Sequence, residues 1–128
     1  MSGTRVGLAF EATATVDEGM LATVMGSGTV AVLATPAMVA LMEAAAIGAI
    51  APTLAEGQTS VGIALDIRHL AATPPGRRIR ARAEVIEVEG AKVSFQVQAW
   101  DEQELIGDGT HARFVIEIAR FMKRAYAK

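Results

Sequence analysis

Two side chains suited to acid–base work stand out from an apolar background, together with a crowd of arginines. Glu43 is the only charge in PAMVALMEAAAIGAIA, residues 36–51. A carboxylate in such surroundings suffers a large desolvation cost, so it should be paired, coordinated, or protonated with a raised pKa. Ionisable groups in that condition concentrate at functional sites; the plainer alternative is a water-filled gap at an interface. His69 ends an alternating segment in which Val61, Ile63, Leu65 and Ile67 share one face and Gly62, Ala64, Asp66 and Arg68 the other. The same parity carries His69 toward the helix that holds Glu43. Alone, a histidine at a strand end is structural or solvated; with Glu43 it makes an acid–base pair. Arg77, Arg78, Arg80 and Arg82 follow Pro74-Pro75-Gly76, and the last three project from one strand face. A solvated basic face is the plain reading. Phosphate binding is the functional one, because the guanidinium fork matches phosphate oxygens.

Other positions carry weaker signals. Thr35 lies two helical turns before Glu43, ~12 Å along the axis, and capping alone explains it. A helix start also favours developing negative charge. Gly62 inside a strand marks a place where something approaches the backbone closely. Arg113 and His111 fall on the parity opposite Ala112 and Phe114, where a solvated face is expected. No His, Asp or Glu cluster has metal-ligand spacing, so no metal is expected. There is no G-x-S-x-G elbow, and Gly26-Ser27-Gly28 matches no phosphate-binding fingerprint.

These residues need elements to hold them. The run 36–51 reads as a helix, capped by Thr35, with Pro36 at its first position and Pro52 past its end. It is apolar all round and should be buried on nearly every side. A bilayer span of about 20 residues is the competing reading. It is opposed by the Ala and Gly content, by Glu43 at mid-span, and by the absence of Lys or Arg between Arg5 and Arg68. Alternation predicts strands over 5–16, 59–69, 78–88, 92–100 and 105–119, with a loop over 17–29, a tight turn at Glu89-Gly90 and a frayed or lightly docked tail FMKRAYAK. The order fits one α+β domain, residues 1–128: an antiparallel sheet wrapped around one long central helix, the hot-dog arrangement. One sheet covers one side of such a helix, so a second copy is expected on the other. A homodimer follows.

Composition narrows the partners. The 128 residues carry a net charge of −2, which argues against general nucleic-acid binding. Zero Cys excludes thiol nucleophiles and suits the cytoplasm, and MSGTRVGLAF lacks the order of a secretory signal. Basic residues outnumber acidic ones only from Arg68 onward, which points to an anionic small molecule rather than a polymer.

Three segments, TPAMVALMEAAA (35–46), GIALDIRHLAATPPG (62–76) and GDGTHAR (107–113), together resemble the fluoroacetyl-CoA thioesterase family. The resemblance spans roughly residues 5–121. It implies hydrolysis of a small acyl-CoA thioester, with no cofactor beyond the CoA of the substrate. It also implies a dimer with the active site at the subunit interface. By the same resemblance Thr35, Glu43 and His69 match the catalytic threonine, glutamate and histidine. Gly62 matches a backbone position that contacts the acyl group, and Arg113 an arginine lining the substrate site. The chain departs from the pattern before the helix, where the fluoroacetyl-specific enzyme carries lid aromatics. Here MGSGTVAVLA (25–34) has none, so a broader short-acyl preference is expected. An acyl-CoA-binding module without catalysis and an acyl-CoA hydratase or dehydratase are the alternatives on the same fold.

Overall fold

The computed structural model describes residues 3–128; Met1 and Ser2, part of the expected 1–128 domain, lie outside the described residues. The alternating segments form five strands: β1 (Ala9–Thr15), β2 (Gln58–His69), β3 (Arg78–Glu89), β4 (Lys92–Trp100) and β5 (Leu105–Glu117). Every pairing is antiparallel and the spatial order is β1-β3-β4-β5-β2. The helices are α1 (Ala22–Met25), α2 (Thr35–Ile50) and α3 (Ile118–Ala125). The sheet curls around α2 as the sequence requires, giving the α+β hot-dog fold.

Period-2 alternation explains the core. Ile79, Ala81, Ala83 and Val85 of β3, and Val93, Phe95, Val97 and Ala99 of β4, are all buried on the face toward α2. Met38, Met42, Ala45, Ala46 and Ile50 of α2 pack down onto them. α2 sits chiefly over β1 and β3, so the inner face of β5 and β2 is left less covered.

The helix is not buried on every side. Ala40, Ala44 and Ile47, spaced along one stripe, are exposed. A single curled sheet reaches only one side, and the uniformly apolar sequence does not say which side that is. The stretch Thr35–Thr53 has the length and apolarity of a membrane span, yet its buried members form the core of this fold.

Two further segments differ from expectation. Residues 17–29 hold a short 3-10 turn (Glu18–Met20) and α1 instead of a plain loop, and a bridge between Leu21 and Leu33 ties them to the start of α2. At the other end β5 stops at Glu117, and the tail forms α3 rather than fraying. Ile118, Phe121 and Met122 recur at helical spacing there, with Lys123 and Arg124 in the last turn, where cations complement the helix dipole.

Candidate functional site

The two ends of the site are built separately. α2 begins at Thr35 with Ala34 as its cap residue, one residue earlier than the sequence suggests, and no side chain caps it. The Thr35 hydroxyl is thereby released from capping. Its Oγ1 lies 2.8 Å from His69 Nδ1, joining the first turn of α2 to the last residue of β2. His69 Nε2 is buried and makes no hydrogen bond to any described residue. Burial also holds the imidazole below its ordinary pKa, favouring the neutral ring. Beside this pair opens a cleft of about 380 Å³, walled by Val32, Leu33, Leu70, Ala71 and Ala72.

Glu43, two turns along α2, meets a different group. Its Oε2 accepts from Arg113 Nη1 at 3.3 Å, and its side chain keeps 34% exposure. Arg113 is buried and tied on other sides as well. Nε donates to Ser60 Oγ at 2.8 Å and Nη2 to the Ser60 carbonyl at 2.9 Å. Nη1 also lies 3.2 Å from His111 Nε2. Four of the five guanidinium N–H groups are thus engaged, and one on Nη2 is left for a ligand.

The solvated positions expected for His111 and Arg113 are not what the structure shows. Both are buried on the inner face, and Phe114 points outward instead. Odd residues of β5 face α2 just as odd residues of β4 do. Taking the apolar Ala112 and Phe114 as the inner set inverted the strand. The missed signal was Glu43 itself: a carboxylate on the core helix needs a cation, and the spacing of His111 and Arg113 puts both on one strand face opposite it.

A bulge in β2 completes the arrangement. The β2–β5 register shifts between Gly62 and Ala64. Before the shift Ser60 and Gly62 face inward, with Gly62 opposite Arg113; beyond it Ile67 and His69 do, opposite Gly109 and Gly107. A single unbroken parity would have sent Gly62 outward, as the sequence reading had it; the bulge allows Gly62 and His69 the same face. A Cβ at Gly62 would stand 2.6 Å from Glu43 Oε2, so only glycine leaves the carboxylate its place.

Not every candidate converges here. No hydrogen bond joins Glu43 to His69 among the described residues, and the cleft at Thr35 and His69 does not reach Glu43. Arg80 is paired with Glu11 at 3.1 Å and lies 4.1 Å over the Trp100 ring. Arg78 and Arg80 border a separate cleft of about 150 Å³ with Trp100, and neither they nor Arg77 line the one at His69. Chemically, one end offers a neutral imidazole with a buried, unpartnered nitrogen and the other a carboxylate oriented by a guanidinium. Together they could activate water or attack an acyl carbon and protonate a leaving group.

Comparison with known proteins agrees with this chemistry. Residues 16–119 match the FlK family, described as fluoroacetyl-CoA-specific thioesterase. The fluoroacetyl-CoA thioesterase of Streptantibioticus cattleyicolor is 44% identical over 97 residues, covering 76% of this chain and 70% of that protein. A solved structure of the fluoroacetyl-CoA thioesterase FlK superposes with a TM-score of 0.94 at 37% identity, covering 99% of this chain and 98% of that one. A thioesterase-superfamily protein from Thermus thermophilus does so at 0.85 and 31% identity, covering 100% of both chains.

Proposed function

The chain belongs to the fluoroacetyl-CoA-specific thioesterase family, and from that premise we propose that it hydrolyses a small acyl-CoA thioester at a Thr35/Glu43/His69 site completed across a homodimer interface. Glu43 attacks the thioester carbonyl or takes a proton from the attacking water. In either route His69 takes up a proton from solvent and gives one from Nε2 to the departing CoA thiolate. As base, Glu43 returns the water's proton to solvent; as nucleophile, it forms an anhydride with the acyl group as the C–S bond breaks, and water then hydrolyses it. Water and thioester become free acid and CoA thiol by both routes. Thr35 orients His69, and the free Nη2 N–H of Arg113 and the backbone at Gly62 hold the acyl end. The reaction uses no metal and no cofactor beyond the CoA of the substrate.

The observation that carries this reading is the Thr35–His69 hydrogen bond, which leaves a buried, unpaired Nε2 beside a cleft. The dimer rests on β2. Its outer edge, along a strand of 12 residues, pairs with no other strand among the described residues, and Ile63 and Leu65 are about half exposed. Such an edge calls for a second strand. Two copies of β2 paired about a two-fold axis near Leu65 and Asp66 lay Gly62 and Glu43 of one chain toward His69 of the partner subunit. The exposed stripe Ala40, Ala44 and Ile47 is then covered as well.

Arg77 and Arg78, on the chain that continues from the cleft wall at Leu70–Ala72, bind the CoA phosphates, with Arg80 already engaged by Glu11. With no aromatic ring among residues 25–34, and with Met25 and Val30 exposed there, the acyl preference extends to short acyl groups beyond fluoroacetyl. The compartment is the cytoplasm.

Free-thiol release from a panel of short acyl-CoAs, with Glu43→Ala and His69→Ala alongside, tests the proposal. Release by the native chain and its loss in both variants is the expected result. CoA binding without release would point to a binding module, and hydration of an enoyl-CoA without release to a hydratase.

A further inference from the structure

We propose that His111 is a positioning residue, which holds Arg113 to a single contact with Glu43 by acting as a fixed hydrogen-bond acceptor. The proposal rests on the thioesterase reading of the Glu43 site. His111 is buried, and its Nδ1 lies 2.9 Å from the carbonyl oxygen of Ala64. A carbonyl only accepts, so Nδ1 carries the proton. At the other edge Nε2 lies 3.2 Å from Arg113 Nη1, and a guanidinium only donates. Both contacts are satisfied in one state alone, the neutral Nδ1–H tautomer with its lone pair on Nε2. Phe95 stacks on the ring with centroids 6.0 Å apart and fixes its plane.

The consequence falls on Glu43. Ser60 holds one edge of the Arg113 guanidinium through two hydrogen bonds, and His111 takes an N–H of the remaining nitrogen. What is left for Glu43 is one N–H at 3.3 Å to Oε2. Without the His111 acceptor, Nη1 has a buried N–H with no partner, and the guanidinium is free to turn so that one N–H of Nη1 and the spare N–H of Nη2 close on the carboxylate as a fork. A carboxylate held that tightly is a poorer nucleophile and base. The imidazole therefore keeps Oε1 of Glu43 available for chemistry while Arg113 still orients the group.

Two substitutions separate this role from simple packing. In His111→Asn the side-chain amide reaches the Ala64 carbonyl but offers nothing at the Nε2 position. In His111→Gln the amide oxygen occupies the Nε2 position and accepts from Arg113. The expected result is a fall in kcat of about 10- to 100-fold for Asn with KM nearly unchanged, and recovery of most of it by Gln. Equal behaviour of Asn and Gln, whether both harmless or both damaging, overturns the proposal. An independent arm reads the tautomer directly. The chain has only two histidines, so 15N NMR with His69→Asn as the assignment control isolates His111. Protonation at Nδ1 is expected, and protonation at Nε2 overturns the proposal. Should the native chain release no thiol, the thioesterase reading falls, and the NMR arm alone decides the clamp.

Discussion

The inner face of the sheet has two halves of opposite character. Under α2, strands β3 and β4 present Ile79, Ala81, Ala83, Val85, Val93, Val97 and Ala99, all buried and none able to titrate. On β5 and β2 the corresponding positions are Ser60, Gly62, His69, His111 and Arg113. The first half is closed by the helix and gives the fold its stability through burial. The second is only partly covered; Ser60, His111 and Arg113 are satisfied by one another and by the Ala64 carbonyl, while His69 Nε2 has no partner among the described residues. Glu43 stands on the helix at the boundary between them. The stabilising half and the reactive half therefore sit side by side on one sheet, and substitutions in them should separate into losses of stability and losses of rate.

That separation can be broken at either end. Glu43→Gln removes the reacting carboxylate and should lower thiol release by about 10²- to 10⁴-fold. Its thermal melting should stay close to that of the native chain; a large loss of stability would make Glu43 a core residue. In the closed half, Ile50→Ala at the far end of α2 should cost about 2–5 kcal/mol in urea denaturation. Its kcat per folded molecule should be unchanged. Gly62→Ala forces a methyl group against Glu43 Oε2 and should reduce kcat/KM by about 10- to 100-fold.

A pH profile sharpens the comparison. Burial lowers the pKa of both His69 and His111. The unfolded chain takes up these protons near pH 6.5, while the folded chain takes them up only at lower pH. Acidification through that window therefore favours unfolding, and the stability gained from the neutral rings is lost as pH falls below about 6.5. Melting temperature measured from pH 7 to pH 5 should drop, and His111→Gln should flatten part of the drop. The smallest effect is expected from Arg77→Ala and Arg78→Ala, each raising KM for acyl-CoA a fewfold with kcat unchanged, as for exposed charges that meet a phosphate in water.

Much of this was legible in the sequence, and the largest failure has a single cause. The strands β3 and β4 follow from periodicity, because in the closed half every inward residue is apolar, and the long helix follows from its helix-forming run and the prolines at its two ends. In the open half Ser60, Gly62, His69, His111 and Arg113 face inward beside Ile67 and Val115, and hydrophobicity no longer marks the face. Alternation therefore turns β5 inside out: it hides His111 and leaves Arg113 to the family resemblance alone, while the bulge that turns Gly62 inward is signalled only by a glycine within a strand. Local pattern gives Thr35 only a capping role and the family resemblance alone gives it chemistry; its hydroxyl lies against His69, 34 residues away, a partner that no local pattern reveals. The tail helix α3 escapes the sequence reading although Ala, Arg, Met and Lys, six of its eight residues, favour helix, because so short a run is marginal without tertiary support.

That the working site is shared between two subunits is tested most directly by mixing two inactive variants. Glu43→Gln and His69→Asn are purified separately, exchanged by partial unfolding and refolding, and assayed for thiol release, with native mass spectrometry confirming mixed dimers. If Glu43 of one chain works with His69 of the partner subunit, each mixed dimer holds one wholly native site, and about a quarter of native activity should return. If mixed dimers form and no activity returns, Glu43 and His69 act within a single chain, and the shared site is wrong.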